Sequence, residues 1–162
     1  MTEKLIVGIG ECHVSNVPSY ELKTYALGSC IAVIFIDPKV RGAGLVHIAL
    51  PDSSISPEKA RTCPGYFVDT GILYLISQMK RINSAPHAGY IVKIVGGACV
   101  IRDESHFLIG ERNINAAKKI LWNLNIPIYA MDIGGDFSRT VTVILKTGRV
   151  MVSTSNGKEW SV

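Results

Sequence analysis

Apolar and polar positions divide this chain into short continuous runs and two stretches of helical period. The densest runs are 31–36 (IAVIFI) and 45–50 (LVHIAL), separated by a Pro-Lys and Gly-rich stretch at 38–44. Apolar runs of strand length joined by turn residues predict neighbouring buried strands. Residues 4–9 alternate weakly and predict a first strand, ended by Gly10. Residues 11–20, with Asn16, Pro18 and Ser19, read as a loop leading to Leu22. Between 65 and 82 the period changes: Val68, Ile72, Leu75, Met79 and Ile82 recur at helical spacing, an amphipathic helix of about four turns. A second helix is predicted over 111–123, with Ile114, Ala117, Leu121 and Leu124 on one face. Further strands are expected at 90–95, 126–131, 140–145 and 149–152, the last two joined by the hairpin-type turn Lys146-Thr147-Gly148. The polar segment 52–64, with two prolines, reads as a mobile surface loop, and a turn containing Pro86 spans 83–89. These elements specify an α/β sandwich, with at least two helices and a mixed multi-stranded sheet, in a single domain over 1–162.

Composition narrows the class without naming a function. With 162 residues, 48% apolar and 19% charged, the chain buries a real core and is not disordered. Seventeen basic residues against thirteen acidic ones are scattered, apart from Lys80-Arg81 and Lys118-Lys119, so no nucleic-acid footprint is indicated. No stretch approaches the eighteen or so apolar residues of a membrane span, and the N-terminus does not read as a signal peptide, so a cytoplasmic protein is expected. Cys12, Cys30, Cys63 and Cys99 are widely spaced with no CxxC, the usage of free thiols in a reducing compartment.

Chemistry concentrates in residues 24–51. Gly28-Ser29 delivers Cys30 to the head of the first apolar run, and His47 sits inside the second, sharing a strand face with Leu45 and Ala49. A glycine-assisted turn exposes a nucleophile and lets backbone N–H groups meet an oxyanion. A thiol beside an imidazole held by a third group is an activated nucleophile, and Thr24 is placed to be that group. Taken singly each residue has a plainer reading. Cys30 would be a small buried thiol at a strand start, His47 a core histidine satisfied by a carbonyl, and Thr24 an ordinary strand residue. Cys12-His13 with Cys30 and His47 has no zinc-site spacing. Gly8-Ile9-Gly10 lacks the third glycine of a dinucleotide loop. Asp103, Glu104 and His106 read as a solvated loop cluster. The Gly96-Gly97 and Gly134-Gly135 pairs mark tight turns, close backbone approach or the lining of a cleft.

Together, Thr24, Leu27-Gly28-Ser29-Cys30 and His47 in His-x-x-Leu-Pro resemble the CheD family of chemoreceptor glutamine deamidases. Val7-Gly8-Ile9-Gly10-Glu11, Val95-Gly96-Gly97-Ala98, Ile109-Gly110-Glu111-Arg112-Asn113 and Asp132-Ile133-Gly134-Gly135 are similar to that family's other motifs, in order, along most of the chain. The resemblance implies a cytoplasmic α/β sandwich related to the catalytic domain of cytotoxic necrotizing factor toxins. It implies a protein-glutamine glutaminase that hydrolyses selected glutamines of methyl-accepting chemotaxis receptors to glutamate. In that reading Cys30 is the nucleophile, His47 the general base and acid, and Thr24 the group orienting the histidine. Gly28 and Ser29 give backbone support to the oxyanion, and no metal or organic cofactor is needed. A CheC-type phosphatase is an implied second partner. One departure is visible at Asp136 and Ser138, where the family pattern has Asn and Gly. Two alternatives stay open: a cysteine amidohydrolase with another substrate, and a non-catalytic binding module regulating a CheC-type phosphatase of CheY.

Overall fold

In the computed structural model, which describes residues 2–83, 89–101 and 104–162 (the last without the side chains of 104–107), ten strands and three α-helices follow in order. They are β1 (Glu3–Ile6), β2 (Cys12–Ser15), β3 (Tyr20–Leu27), β4 (Ile31–Asp37), β5 (Gly42–Ile48), α1 (Pro57–Thr62) and α2 (Val68–Met79). Then come β6 (Ile91–Gly96), α3 (Glu104–Asn123), β7 (Ile128–Ile133), β8 (Arg139–Ile144), β9 (Arg149–Ser153) and β10 (Glu159–Ser161). Two five-stranded mixed sheets result. The central one is ordered β2-β5-β4-β6-β7 and the front one β1-β3-β8-β9-β10.

The layering follows from side-chain alternation in β4 and β5, whose residues are all buried. Ile31, Val33, Phe35, Val46 and Ile48 face a core shared with Ile72 and Leu75 of α2 and Ala117 and Leu121 of α3. The intervening Ala32, Ile34 and Leu45 face a second core shared with Leu22, Val141, Val143 and Val152 of the front sheet. Strands sandwiched between two layers read as continuous apolar runs because neither face meets water. That is why 31–36 and 45–50 show no polar alternation except at one place, His47.

Several boundaries differ from the sequence expectation, each for a physical reason. The strands belong to two sheets rather than to one. β2 lies inside the stretch read as a loop, because pairing with β5 (Cys12 opposite Val46, Ser15 opposite Ala43) supplies what local composition does not. Segment 52–64 is not a mobile loop. It forms a 3-10 turn at Ser53–Ile55 capped by the Asp52 side chain, then α1, and Ser53 donates from N and Oγ to the Asp69 carboxylate. Its Pro57 starts a helix, where a missing N–H costs nothing. The second helix begins at Glu104, since Gly110 lies inside it and not at its start. A further edge strand, β10, pairs with β9. The turn around Pro86 and the side-chain cluster of Asp103, Glu104 and His106 lie outside the described residues. No helix among the described residues is long and apolar enough to cross a membrane.

Candidate active site

The site lies at one end of the inter-sheet core. On β5, His47 stands opposite Ala32 of β4 and points, like Leu45, toward the front sheet. Its backbone is gripped by the loop after β1: His47 N donates to Glu11 O (3.1 Å) and Gly10 N donates to His47 O (2.7 Å). The side chain is 2% exposed. Burial disfavours its charged form and lowers its pKa from 6.5 to about 4, so His47 is neutral near pH 7.

Thr24 reaches His47 from the opposite sheet. It is fully buried on β3, opposite Val141 of β8, and its Oγ1 lies 2.6 Å from Val7 O and 2.7 Å from His47 Nδ1. A hydroxyl carries one hydrogen, and a carbonyl oxygen only accepts. The Thr24 hydrogen is therefore given to Val7 O, and Thr24 Oγ1 accepts from His47 Nδ1–H. That relay fixes the tautomer and leaves Nε2 with its lone pair. Nε2 is buried and has no hydrogen-bond partner among the described residues. An orphaned basic nitrogen in a core is costly unless something uses it.

Cys30 approaches the same core from the end of β3. Past Thr24 the strand bulges: its register slips between Thr24 and Leu27, and Ala26 takes a left-handed φ of 54°. The chain then turns through Gly28-Ser29 into Cys30, two residues before Ala32 and on the same side of β4. Cys30 packs against the inter-sheet core one residue before the β4–β5 ladder begins at Ile31, on the side toward which His47 points, and no hydrogen bond joins its Sγ to His47 Nε2 among the described residues. Cys30 is half-buried and lines an open cavity of about 240 Å³ with Ala26, Ser29, Ala98, Cys99, Val100 and Ile101.

All three carbonyls of the turn are held. Gly28 O accepts from Ala98 N (2.7 Å), Ser29 O from Asn113 Nδ2 (3.0 Å) and Cys30 O from Gly97 N (2.8 Å). This explains the Gly96-Gly97 pair and Gly110. Gly96 has φ +113°, and a Cβ there would sit 2.4 Å from Cys30 O. Gly97 and Gly110 let α3 touch the end of β6, where a Cβ on Gly110 would lie 2.5 Å from Gly97 O. The helix thereby brings Asn113 to the site one turn later.

Burial pushes the Cys30 thiol above its ordinary value, partly offset by its own backbone N–H. Both shifts disfavour charge, so the resting site holds a neutral thiol and a neutral imidazole. Cys12 belongs elsewhere: paired with Val46 on β2 it packs on the helix side of the central sheet, and burial raises its pKa to about 12. A zinc site joining Cys12 to His47 is thus not assembled.

The structure joins Thr24 to His47 by a hydrogen bond and packs Cys30 against the inter-sheet core without a hydrogen bond to His47 among the described residues; two further contributors escape sequence reasoning. Val7 acts through its carbonyl, which no side-chain pattern signals. Asn113 stands in the Gly-Glu-Arg-Asn run, where its spacing from Gly110 was the available clue. The Asp136 and Ser138 departures lie on the β7–β8 loop beside Arg139, which is buried and pairs with Asp132 (3.0 Å) and Gly134 O (2.7 Å). Among the described residues no hydrogen bond joins either of them to Thr24, Cys30 or His47.

A family model described as "CheD chemotactic sensory transduction" matches residues 49–154. A Syntrophotalea carbinolica protein named "Probable chemoreceptor glutamine deamidase CheD" is 46% identical over 159 residues, 98% of each chain. A protein of Syntrophus aciditrophicus, named "Probable chemoreceptor glutamine deamidase CheD 1", is 46% identical over 94% of this chain and 95% of its own. A Solibacter usitatus protein with the same deamidase name is 40% identical, covering 97% of this chain and 92% of its own. The alignment with the Syntrophotalea carbinolica protein spans nearly the whole chain, while the family model begins at residue 49, after Cys30 and His47, and on these matches the chain belongs to the CheD family.

Proposed function

We propose that this protein is a cysteine amidohydrolase that converts selected glutamine side chains of chemotaxis receptors to glutamate. The observation that carries the reading is the relay Val7 O, Thr24 Oγ1, His47 Nδ1, which leaves Nε2 free as a base on the face that Cys30 shares. The substrate class comes from the names of the relatives, and the open cavity beside Cys30 suits a side chain presented by another protein.

The chemistry balances as two acyl transfers. A glutamine carboxamide enters the cavity and the Cys30 S–H proton passes to His47 Nε2. The sulfur bonds to the amide carbon, and the oxyanion is met by backbone N–H groups of the Gly28-Ser29-Cys30 turn. The C–N bond breaks as imidazolium returns the proton to the leaving nitrogen, releasing ammonia. Water then loses a proton to Nε2 and attacks the thioester. The C–S bond breaks, glutamate leaves and the thiol is restored. Nδ1–H donates to Thr24 throughout, so the relay serves neutral and protonated imidazole alike. A neutral resting pair suits such a site, because charge appears only when substrate has displaced water.

A CheC-type phosphatase as second partner also belongs to this proposal, supported by family membership. Co-purification with a purified CheC-type protein tests it. The catalytic reading is tested by mass spectrometry of a receptor cytoplasmic fragment. Glutamine-to-glutamate conversion by the parent that is lost in Cys30→Ala supports it, and equal conversion by both proteins refutes it.

A further inference from the structure

We propose that Asn113 is a positioning residue that holds the Cys30 turn and the His47 strand in catalytic alignment, an inference that rests on the cysteine mechanism above. Its side chain is fully buried, and its Nδ2 donates both hydrogens across the site. One goes to Ser29 O (3.0 Å) and the other to Ala49 O (3.0 Å). Ser29 immediately precedes the nucleophile, and Ala49 follows the base by two residues. A single rigid amide therefore spans the two backbone segments whose relative placement decides whether Cys30 Sγ can deliver a proton to Nε2.

Among the described residues no other hydrogen bond duplicates this link. β4 and β5 pair from Ile31–Ile48 to Asp37–Gly42, and both Ser29 and Ala49 lie beyond that ladder. Ala49 N is held by Tyr66 O, which belongs to neither segment. Among the described residues, without Asn113 the ladder ends at Ile31 and Ile48, and the Cys30 turn keeps only its backbone ties to Gly97 and Ala98. The anchor itself is stiff, since α3 is seated on the end of β6 by the contact of Gly110 with Gly97. Both hydrogens of the amide are needed, and no other side chain of that length offers two donors without a charge. Asparagine is thus chemically specified here, where a core helix position would otherwise take an aliphatic residue. The Oδ1 atom has no partner among the described residues, so this polar residue is kept at a cost.

A loss of alignment near 1 Å costs on the order of a hundredfold in rate. The test is a mutant cycle on the whole protein with a receptor cytoplasmic fragment as substrate, using Asn113→Ala, His47→Ala and their combination, with Cys30→Ala alongside. Two quantities are read: kcat and KM for deamidation, and the rate at which iodoacetamide alkylates Cys30. Asn113→Ala should lower kcat about a hundredfold with KM nearly unchanged. In the parent, His47→Ala should slow Cys30 alkylation; in the Asn113→Ala background it should change that rate by less than about twofold, because the pair is already uncoupled. A general loss of stability would not remove that coupling. Coupling retained in full, or kcat within about threefold of the parent, overturns the proposal. If Cys30→Ala itself deamidates, the cysteine mechanism falls and this inference with it. If Cys30→Ala is inactive while Asn113→Ala stays coupled, only the role of Asn113 falls. Should the alanine variant fail to fold, Asn113→Ser, which keeps one donor, goes through the same cycle and the same two results decide.

Discussion

Replacing Thr24 by valine tests the tautomer relay with almost no change of shape. The hydroxyl makes two short hydrogen bonds, 2.6 Å to Val7 O and 2.7 Å to His47 Nδ1, in a fully buried position. Valine fills the same volume but leaves a carbonyl and an imidazole N–H buried without their partner. Each unsatisfied group costs about 1–3 kcal/mol, so the variant should lose on the order of 3 kcal/mol of stability. For a chain of this length that is a Tm lower by roughly 6–12 °C. The catalytic loss has a separate origin. A hydrogen bond to a charged group contributes about 1.5–3 kcal/mol, and Nδ1–H donates most strongly when His47 is protonated in the transition state. Losing it lowers kcat by roughly ten- to a hundredfold, at about 1.4 kcal/mol per factor of ten. Thr24→Ser keeps both hydrogen bonds and loses one buried methyl, a cost of about 1 kcal/mol, and should stay within a few-fold of the parent. Thermal melts and deamidation kinetics below the Tm of each variant separate the two effects. A valine variant as active as the parent, with serine impaired, would show that Thr24 is packing and would refute the relay.

Three further outcomes are expected. The His47 pKa is lowered on folding, so its neutral state contributes stability that is fully present above the unfolded value of 6.5. That contribution, on the order of 3 kcal/mol, is lost as pH falls from 6.5 toward about 4, because the unfolded chain binds the proton first. Urea unfolding across that window should show the slope in the parent and not in His47→Gln. Gly96→Ala should be destabilised by about 3 kcal/mol or more, since φ +113° excludes L side chains and the added Cβ would meet Cys30 O; wild-type melting would contradict this. Alkylation should separate the thiols: Cys12, raised to about 12, should stay unlabelled while folded, and Cys30 should react at mildly alkaline but not at acidic pH. Peptide mapping after limited labelling reads both, and early labelling of Cys12 would contradict the placement of β2.

Much of this site was legible because the residues that form it break the local pattern. His47 is the lone polar residue in a doubly buried strand, and Gly28-Ser29 is a turn placed before a thiol. Strand alternation correctly put His47 on the face of Leu45, which is the face that meets Thr24. What escaped was set by contacts distant in sequence. β2 is a strand only because β5 pairs with it, and neither Cys12 nor His13 announces that. The helix predicted from 111 starts earlier, so Gly110 lies inside α3, where the absence of a side chain lets Gly97 approach. The prolines of 52–64 suggest a loop, but Pro57 opens a helix, and the segment is tied by Ser53 to Asp69. The resting charge of the Cys30 thiol escaped for the same reason: it is set by burial, which only the packed structure reveals.

In the proposed mechanism Cys30 forms an acyl-enzyme with a receptor glutamine. That step is tested most directly by adding hydroxylamine to a reaction of the protein with a receptor cytoplasmic fragment, then mapping the fragment by mass spectrometry. A thioester is intercepted by this stronger nucleophile, so the same glutamines that become glutamate in buffer should become hydroxamates, with neither product formed by Cys30→Ala. Glutamate formation that proceeds without hydroxamate, or that survives in Cys30→Ala, would contradict the account.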